Sequence, residues 1–126
     1  MLFAVPGARA DVPTTPPEMN GFMGKLTGTI KAVHGNVGFV MTVEKVFVAD
    51  ESTVKDASIL VGTDVWLGCK WGKGDSGNYE PESASWEVWK SLKGDTKVKC
   101  VVIADADKNG KVLLRLARQP KILEAK

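Results

Sequence analysis

PESASWEVWKSLKG, residues 81–94, is the stretch that decides the fold, because it interrupts a series of strand-like runs with a helical pattern. Pro81 lies near the first helical position and Gly94 follows the last, as at many helix ends. The apolar residues of this stretch recur at spacings of three, with one more beside them: Trp86, Val88, Trp89 and Leu92. Such spacing places them on one stripe. We therefore expect a short helix whose apolar stripe is buried against the rest of the chain.

Three runs with the alternation of β-strands precede this helix. KLTGTIKAV (25–33) alternates strictly, and its predicted inward residues are Leu26, Gly28, Ile30 and Ala32. VGFVMTVEKVFVA (37–49) is longer and apolar on both faces in places, which suits a strand bent across a barrel with a bulge at Gly38. In DVWLGCKW (64–71), the predicted inward residues are Val65, Leu67, Cys69 and Trp71, and the outward ones are Trp66, Gly68 and Lys70.

Two further strands follow the helix. They are TKVKCVVIAD (96–105) and KVLLRLAR (111–118). The pair Asn109-Gly110 between them is the strongest hairpin signal in the chain. The same connection, DADKNG (105–110), matches the first half of a calcium-binding EF-hand loop, but Leu116 stands where that loop needs a bidentate glutamate. We therefore predict a polar hairpin turn and no metal site.

The order strand, strand, strand, helix, strand, strand over residues 24–118 resembles an OB-fold, a five-stranded Greek-key barrel. The pieces LVGTDVWLG (60–68) and LKGDTKVKCVV (92–102) are similar to the Gly-Asp turns that lead into strands in many small barrels of this type. The resemblance implies an all-β domain with one short helix, which would close the bottom of the barrel. SH3-like barrels and small sandwiches are the alternatives, and the position of the helix favours the OB order.

The two ends of the chain differ in character from this barrel. Residues 1–23 contain four prolines without sustained periodicity, which predicts an extended N-terminal arm. Because Ala8-Arg9-Ala10 resembles the small-residue end of an export signal, this segment is alternatively a residual export segment. We expect an exported protein (periplasmic, cell-surface or extracellular), with a cytoplasmic one as the alternative. Residues 119–126 are predicted to be a basic C-terminal tail, and no apolar run has the length of a membrane span.

Composition and motifs give little support to catalysis. The formal net charge of +2 is too small to indicate nucleic-acid binding by itself. His34 is the only histidine and lies in the turn signal HGN, and no nucleophile-elbow, HExxH or P-loop motif occurs. We therefore predict no enzyme and no cofactor. Cys69 and Cys100 form no CxxC motif, which leaves two interpretations: a disulfide between strands or two buried thiols.

Two functions are compatible with these observations. The first is a non-catalytic interaction or assembly module of the cell envelope, which binds itself through the N-terminal arm or binds another envelope protein. The alternative is an OB-type binder of single-stranded nucleic acid or acidic polysaccharide, in which the outward Trp66 stacks on the ligand and nearby cations hold its charges. The candidate interaction residues are Trp66, Lys70, Lys25, Lys31, Lys111 and Arg115.

Overall fold

The computed structural model describes residues 13–35, 37–69, 71–73, 79–81, 83 and 86–123, and of 71–73 and 79–81 it describes the backbone alone. The strands are β1 (Met23–His34), β2 (Gly38–Val48), β3 (Asp64–Gly68), β4 (Trp71–Lys73), β5 (Tyr79–Pro81), β6 (Lys97–Ala106), β7 (Val112–Leu116) and β8 (Lys121–Ile122). Short 3₁₀ turns are formed by Pro17–Met19, Ser58–Leu60 and Glu87–Ser91. No helix in the part of the chain described here is long and apolar enough to cross a membrane.

Five of these strands close into a barrel, as the sequence predicts. The strand order is β1-β2-β3-β7-β6, and β6 returns to pair with β1. All neighbours in the barrel are antiparallel except β3 and β7, which pair in parallel at Leu67 and Leu114. This mixed, closed sheet is that of an OB-like small barrel. β4 and β5 form a separate two-stranded sheet, and β8 extends the barrel sheet beside β6.

Strand β1 holds the barrel together because it pairs along both of its edges. Residues 24–29 face β2 on one side and β6 on the other. Gly24 and Gly28 are buried on this strand, and a Cβ on Gly28 would overlap the carbonyl oxygen of Thr42 in β2. Glycine is therefore required where the two bent strands approach most closely.

The alternation read from the sequence predicts the core of the barrel, with one error. Leu26, Gly28, Ile30, Val65, Leu67 and Cys69 are buried as predicted. Ala32 is exposed and the prediction for it is wrong, because the pairing of β1 with β2 shifts between Ile30 and Ala32. Such an irregularity places the following residue on the opposite face. Val33, its neighbour, packs against the core instead.

The predicted helix at residues 81–94 is a five-residue 3₁₀ turn, Glu87–Ser91. The residues on either side, Trp86 and Leu92, are extended (φ −91°, ψ 115° and φ −79°, ψ 134°). Within the turn, backbone N–H groups donate three residues back, from Trp89 to Trp86 and from Leu92 to Trp89. A spacing of three is the period of a 3₁₀ helix, where side chains three apart are eclipsed, so the spacing of the apolar stripe fits this geometry.

Trp89 anchors this turn to the end of the barrel. Its side chain is buried, and its indole Nε1–H donates to the carbonyl oxygen of Gly35 at 2.6 Å. The ring packs 5.7 Å from Phe39 and 6.2 Å from Trp86, centroid to centroid. The core position predicted for Trp89 is confirmed and Trp86 is partly buried against the core, whereas the side chain of Trp71 lies outside the described residues.

Parts of both chain ends belong to the barrel. Met19 and Phe22, within the segment predicted as an arm, are buried in the core. Gly21 donates its N–H to the carbonyl of Ala104, and the N–H of Ala104 donates to the carbonyl of Phe22. In the predicted basic tail, Lys121–Ile122 form β8 on the edge of β6. Residues 1–12 and 124–126 lie outside the described residues.

Replacing the anchoring indole tests this account of the barrel end. Trp89→Phe removes the hydrogen bond to Gly35 and leaves space beside Phe39, so we expect a loss of about 1–3 kcal/mol in the free energy of unfolding. Trp86→Phe, in the same turn but partly exposed, is the matched control and should cost less. Urea denaturation measures the free energy of unfolding of both variants, and the dependence of that free energy on urea concentration should be the same as in the unaltered chain. Equal losses would show that the indole hydrogen bond does not anchor the turn.

Candidate functional site

Trp66, the leading candidate from the sequence, is half-buried on the outer side of β3. Its indole lies across two glycines of the sheet: a Cβ on Gly38 would come within 2.7 Å of it, and one on Gly68 within 3.3 Å. The ring of His34 packs edge-on against it, with centroids 5.2 Å apart and planes at 81°. Trp66 is therefore in contact with the ring of His34 and with two glycines of the sheet.

Two of the cations predicted beside Trp66 contact carboxylates. Lys31 forms an ion pair with Asp64 (Nζ to Oδ2, 2.9 Å), and Thr42 Oγ1 donates to the same carboxylate at 2.7 Å. Arg115 lies 3.4 Å from Asp105 (Nε to Oδ1) and lines, with Trp66 and Val37, a shallow groove of about 220 Å³.

Three candidates remain: Lys111, Lys70 and Lys25. Lys111 is exposed at the end of the β6–β7 turn, and Lys70 lies outside the described residues. Lys25 is far along β1: Trp66 shares a row with Val40 and Ala32, seven residues away from Lys25. At about 3.3 Å per residue, this separation is about 23 Å. Lys25 therefore lies apart from Trp66, whereas Arg115 shares the groove beside it.

Lys25 belongs instead to a cluster that the sequence did not reveal. Across β2, β1, β6 and β8, the register places four residues in one row: Lys45, Thr27, Lys99 and Lys121. The next row is Phe47, Lys25 and Val101. Residues directly opposite each other lie on the same side of a sheet, and strands are about 4.8 Å apart, so the lysines share one surface. We call these two rows the cationic face.

The lysines of the cationic face have no acidic counterpart within it. All four are exposed, and none of them takes part in the ion pairs of the described residues. Lys99 stands directly opposite Lys121, an arrangement of like charges that destabilises a sheet. The nearest acid on β2, Glu44, is occupied by Thr29 (2.7 Å) and Lys97 (3.1 Å) in the adjoining row.

Phe47 lies at the β2 end of the second row and is 60 % exposed. The Nζ of Lys25 lies 5.7 Å from its ring centroid, a cation–π distance. On one side of the ring is a cleft of about 300 Å³ lined by Lys25, Thr27, Lys45 and Lys99. On the other side is a largely apolar one of about 280 Å³, lined mainly by Met23, Ala49, Val101, Ile103 and Ala117, with Glu51 and Arg118 at its margin.

Cys69 and Cys100 are both buried thiols, and no disulfide joins them. Burial raises the pKa of Cys100 to about 12, so its thiolate is not available near neutral pH. Packing in the core is the role that this geometry supports for Cys100.

The connection between β6 and β7 is the polar turn predicted from Asn109-Gly110. Asp107 Oδ1 accepts the backbone N–H groups of Asn109 (2.8 Å) and Lys111 (2.9 Å), and these bonds lower the pKa of its carboxyl. Gly110 has φ +83°, a conformation that favours glycine. Asp105, the first ligand of the calcium pattern, is paired with Arg115. Among the residues that the structure describes, no group of three acidic, histidine or cysteine side chains is arranged to hold a metal ion.

Comparisons with models of protein families, with curated proteins and with solved structures found no match. The function is therefore inferred from the residues of this chain and their geometry.

The Lys31–Asp64–Thr42 group generates a pH-dependent contribution to stability. The hydrogen bond from Thr42, and next the one from Lys31, hold the pKa of Asp64 below its ordinary value of 3.8. Because the folded pKa is the lower one, this contribution is complete above 3.8 and is lost as the pH falls through the folded pKa. We expect Thr42→Val to raise the pKa of Asp64 towards its ordinary value, and Asp64→Asn to flatten the acid limb of the stability curve.

Carboxyl titration by NMR and thermal melts between about pH 7 and about pH 2 measure these two effects. If Thr42→Val left the titration of Asp64 unchanged, the hydroxyl would not be the group that lowers its pKa.

Proposed function

We propose that this chain is a non-catalytic binding module that holds a polyanionic partner on the cationic face. The observation that carries the proposal is the row Lys45, Thr27, Lys99 and Lys121, which brings three lysines together without a carboxylate among them. Lys25 adds a fourth charge in the next row, beside the exposed ring of Phe47.

Electrostatics supports an anionic partner for this surface. Exposed lysines placed opposite each other repel, and an anion bound between them removes the repulsion. A polyanion bound by several lysines also releases its condensed counterions, which favours binding at low salt. The adjoining row differs, since Lys97 there is neutralised by Glu44. The positive charges of Lys99 and Lys121 therefore repel each other, whereas the charge of Lys97 in the adjoining row is compensated by Glu44.

The surface around Trp66 gives less support to polyanion binding. Lys31 is paired with Asp64, so an anion would compete with this carboxylate, whereas the Nε of Arg115 lies 3.4 Å from Asp105 without forming a hydrogen bond. Surface pairs of this kind are weak, about 0–1 kcal/mol, and the competition would lower affinity without abolishing it. The cationic face is the better candidate because none of its four lysines takes part in the ion pairs of the described residues.

Binding of soluble polyanions tests the proposal. We expect a fluorescein-labelled oligodeoxythymidylate or heparin fragment to bind the full chain with an affinity that falls with salt, with a slope of about −3 in log–log form for four lysines. Lys45→Gln with Lys99→Gln should reduce that slope by about half. Fluorescence anisotropy measures it.

Lys93→Gln with Lys108→Gln is the matched control, because both residues are exposed and lie off the cationic face. An equal loss in the two double variants would show that net charge, and not the cationic face, determines binding.

Self-assembly, export and envelope association stay predictions. Met19 and Phe22 pack into the core of their own barrel, so an arm that reaches a second protein would have to lie within residues 1–15. Light scattering on the full chain and on a chain without residues 1–15 measures this mechanism. A multimer that becomes a monomer on truncation is the expected result if the arm assembles the protein, and equal masses would contradict it.

A further inference from the structure

We infer that the polyanion is a membrane surface rich in anionic lipid, with Phe47 entering the interface while the lysines around it hold headgroups. The inference rests on the function proposed above, and it adds the identity of the partner and a second, apolar element of binding.

The exposure of Phe47 is the first support. A phenylalanine ring left 60 % exposed keeps much of its apolar surface in water, and burying such a side chain completely is worth about 1.5–3 kcal/mol, or about tenfold to more than a hundredfold in affinity. The neighbouring cleft lined by Met23, Val101, Ile103 and Ala117 extends this apolar surface. An occupant with hydrocarbon near its anionic groups therefore fits both parts.

The placement of charge beside Phe47 is the second support. Lys25 lies over the ring, and Lys45 and Lys99 line the cleft beside it. The apolar cleft is lined by Lys25 and Arg118 together with one acid, Glu51. Apolar side chains flanked by lysine and arginine are the pattern with which proteins bind the boundary between anionic headgroups and acyl chains.

The composition of the cationic face favours lipid over the polymers of the same charge. Binding of single-stranded nucleic acid uses several aromatic rings on which successive bases stack, and the described part of this face carries one ring, Phe47. A polysaccharide presents many hydroxyl groups that need polar partners. In the two rows of the cationic face, Thr27 is the one uncharged polar side chain that could pair with them.

Vesicle co-sedimentation of the full chain is the experiment. We expect binding to vesicles with about one-third phosphatidylglycerol and little binding to pure phosphatidylcholine. Each lysine near an anionic surface is worth about fivefold in affinity, which corresponds to about 1 kcal/mol. Lys45→Gln with Lys99→Gln should therefore weaken binding about 25-fold, and Phe47→Ser about tenfold.

Two controls separate the contributions. Ile59→Ser removes an apolar side chain that is similarly exposed (51 %) but lies off the cationic face, and Lys93→Gln with Lys108→Gln removes two exposed charges elsewhere. Both control proteins should bind the anionic vesicles as the unaltered chain does. Thermal melts show that each variant is folded, and all these side chains are exposed, so folding should be retained.

The outcomes distinguish this inference from the proposed function. Equal binding to both kinds of vesicle, or equal effects of Phe47→Ser and Ile59→Ser, would overturn the lipid inference. Lysine-dependent binding to the soluble oligonucleotide or heparin, without binding to vesicles, would overturn it as well and leave the proposed function standing. Absence of binding to polymers and vesicles alike would overturn both.

Discussion

The double pairing of β1 is the constraint on which the rest of the structure depends. Between residues 24 and 29 this strand is bonded to β2 on one edge and to β6 on the other, and that closure converts a sheet into a barrel. The close approach is possible because Gly24 and Gly28 present no side chain to the carbonyl groups of β2. The same pairing places Lys45 and Lys99 on either side of Thr27, so the contacts that close the barrel also form the cationic face.

Most of the fold could be predicted because its signals are local. Alternation along each strand predicts which residues are buried, and Asn109-Gly110 predicts the turn that Asp107 then caps. Ala32 was misplaced because a pairing irregularity is set by the partner strand and leaves no mark in the alternation of β1 itself. The short helix predicted for residues 81–94 is the 3₁₀ turn at Glu87–Ser91, because a spacing of three is compatible with either kind of helix in so short a stretch.

The cationic face could not be predicted, since it depends on register between strands distant in sequence. Alternation does indicate that Lys25, Lys45 and Lys99 point outward, yet it cannot align them. Lys99 meets Thr27 through the closing contact of the barrel, and Lys121 meets Lys99 through a strand of two residues in a segment interpreted as a tail. The sequence indicates Trp66 as a candidate because an outward tryptophan is a strong local signal. Its contacts with His34, Gly38 and Gly68 depend on the pairing of strands distant in sequence, which alternation does not predict.

The contrast between adjoining rows argues that the cationic face is more than the chance outcome of a lysine-rich sequence. One step along β1, Glu44, Thr29 and Lys97 form a hydrogen-bonded and neutralised group on the same strands. An acid in place of Lys45 or Lys121 would lower the charge of the row that holds Lys45, Lys99 and Lys121, so neither barrel closure nor strand register requires three lysines in it. The repulsion between Lys99 and Lys121 is consequently a cost to the folded state that nothing in the barrel itself explains. A bound anion would explain this cost, because it would relieve the repulsion. The exposed ring of Phe47 beside the lysines indicates that the anionic ligand carries hydrocarbon close to its charged group.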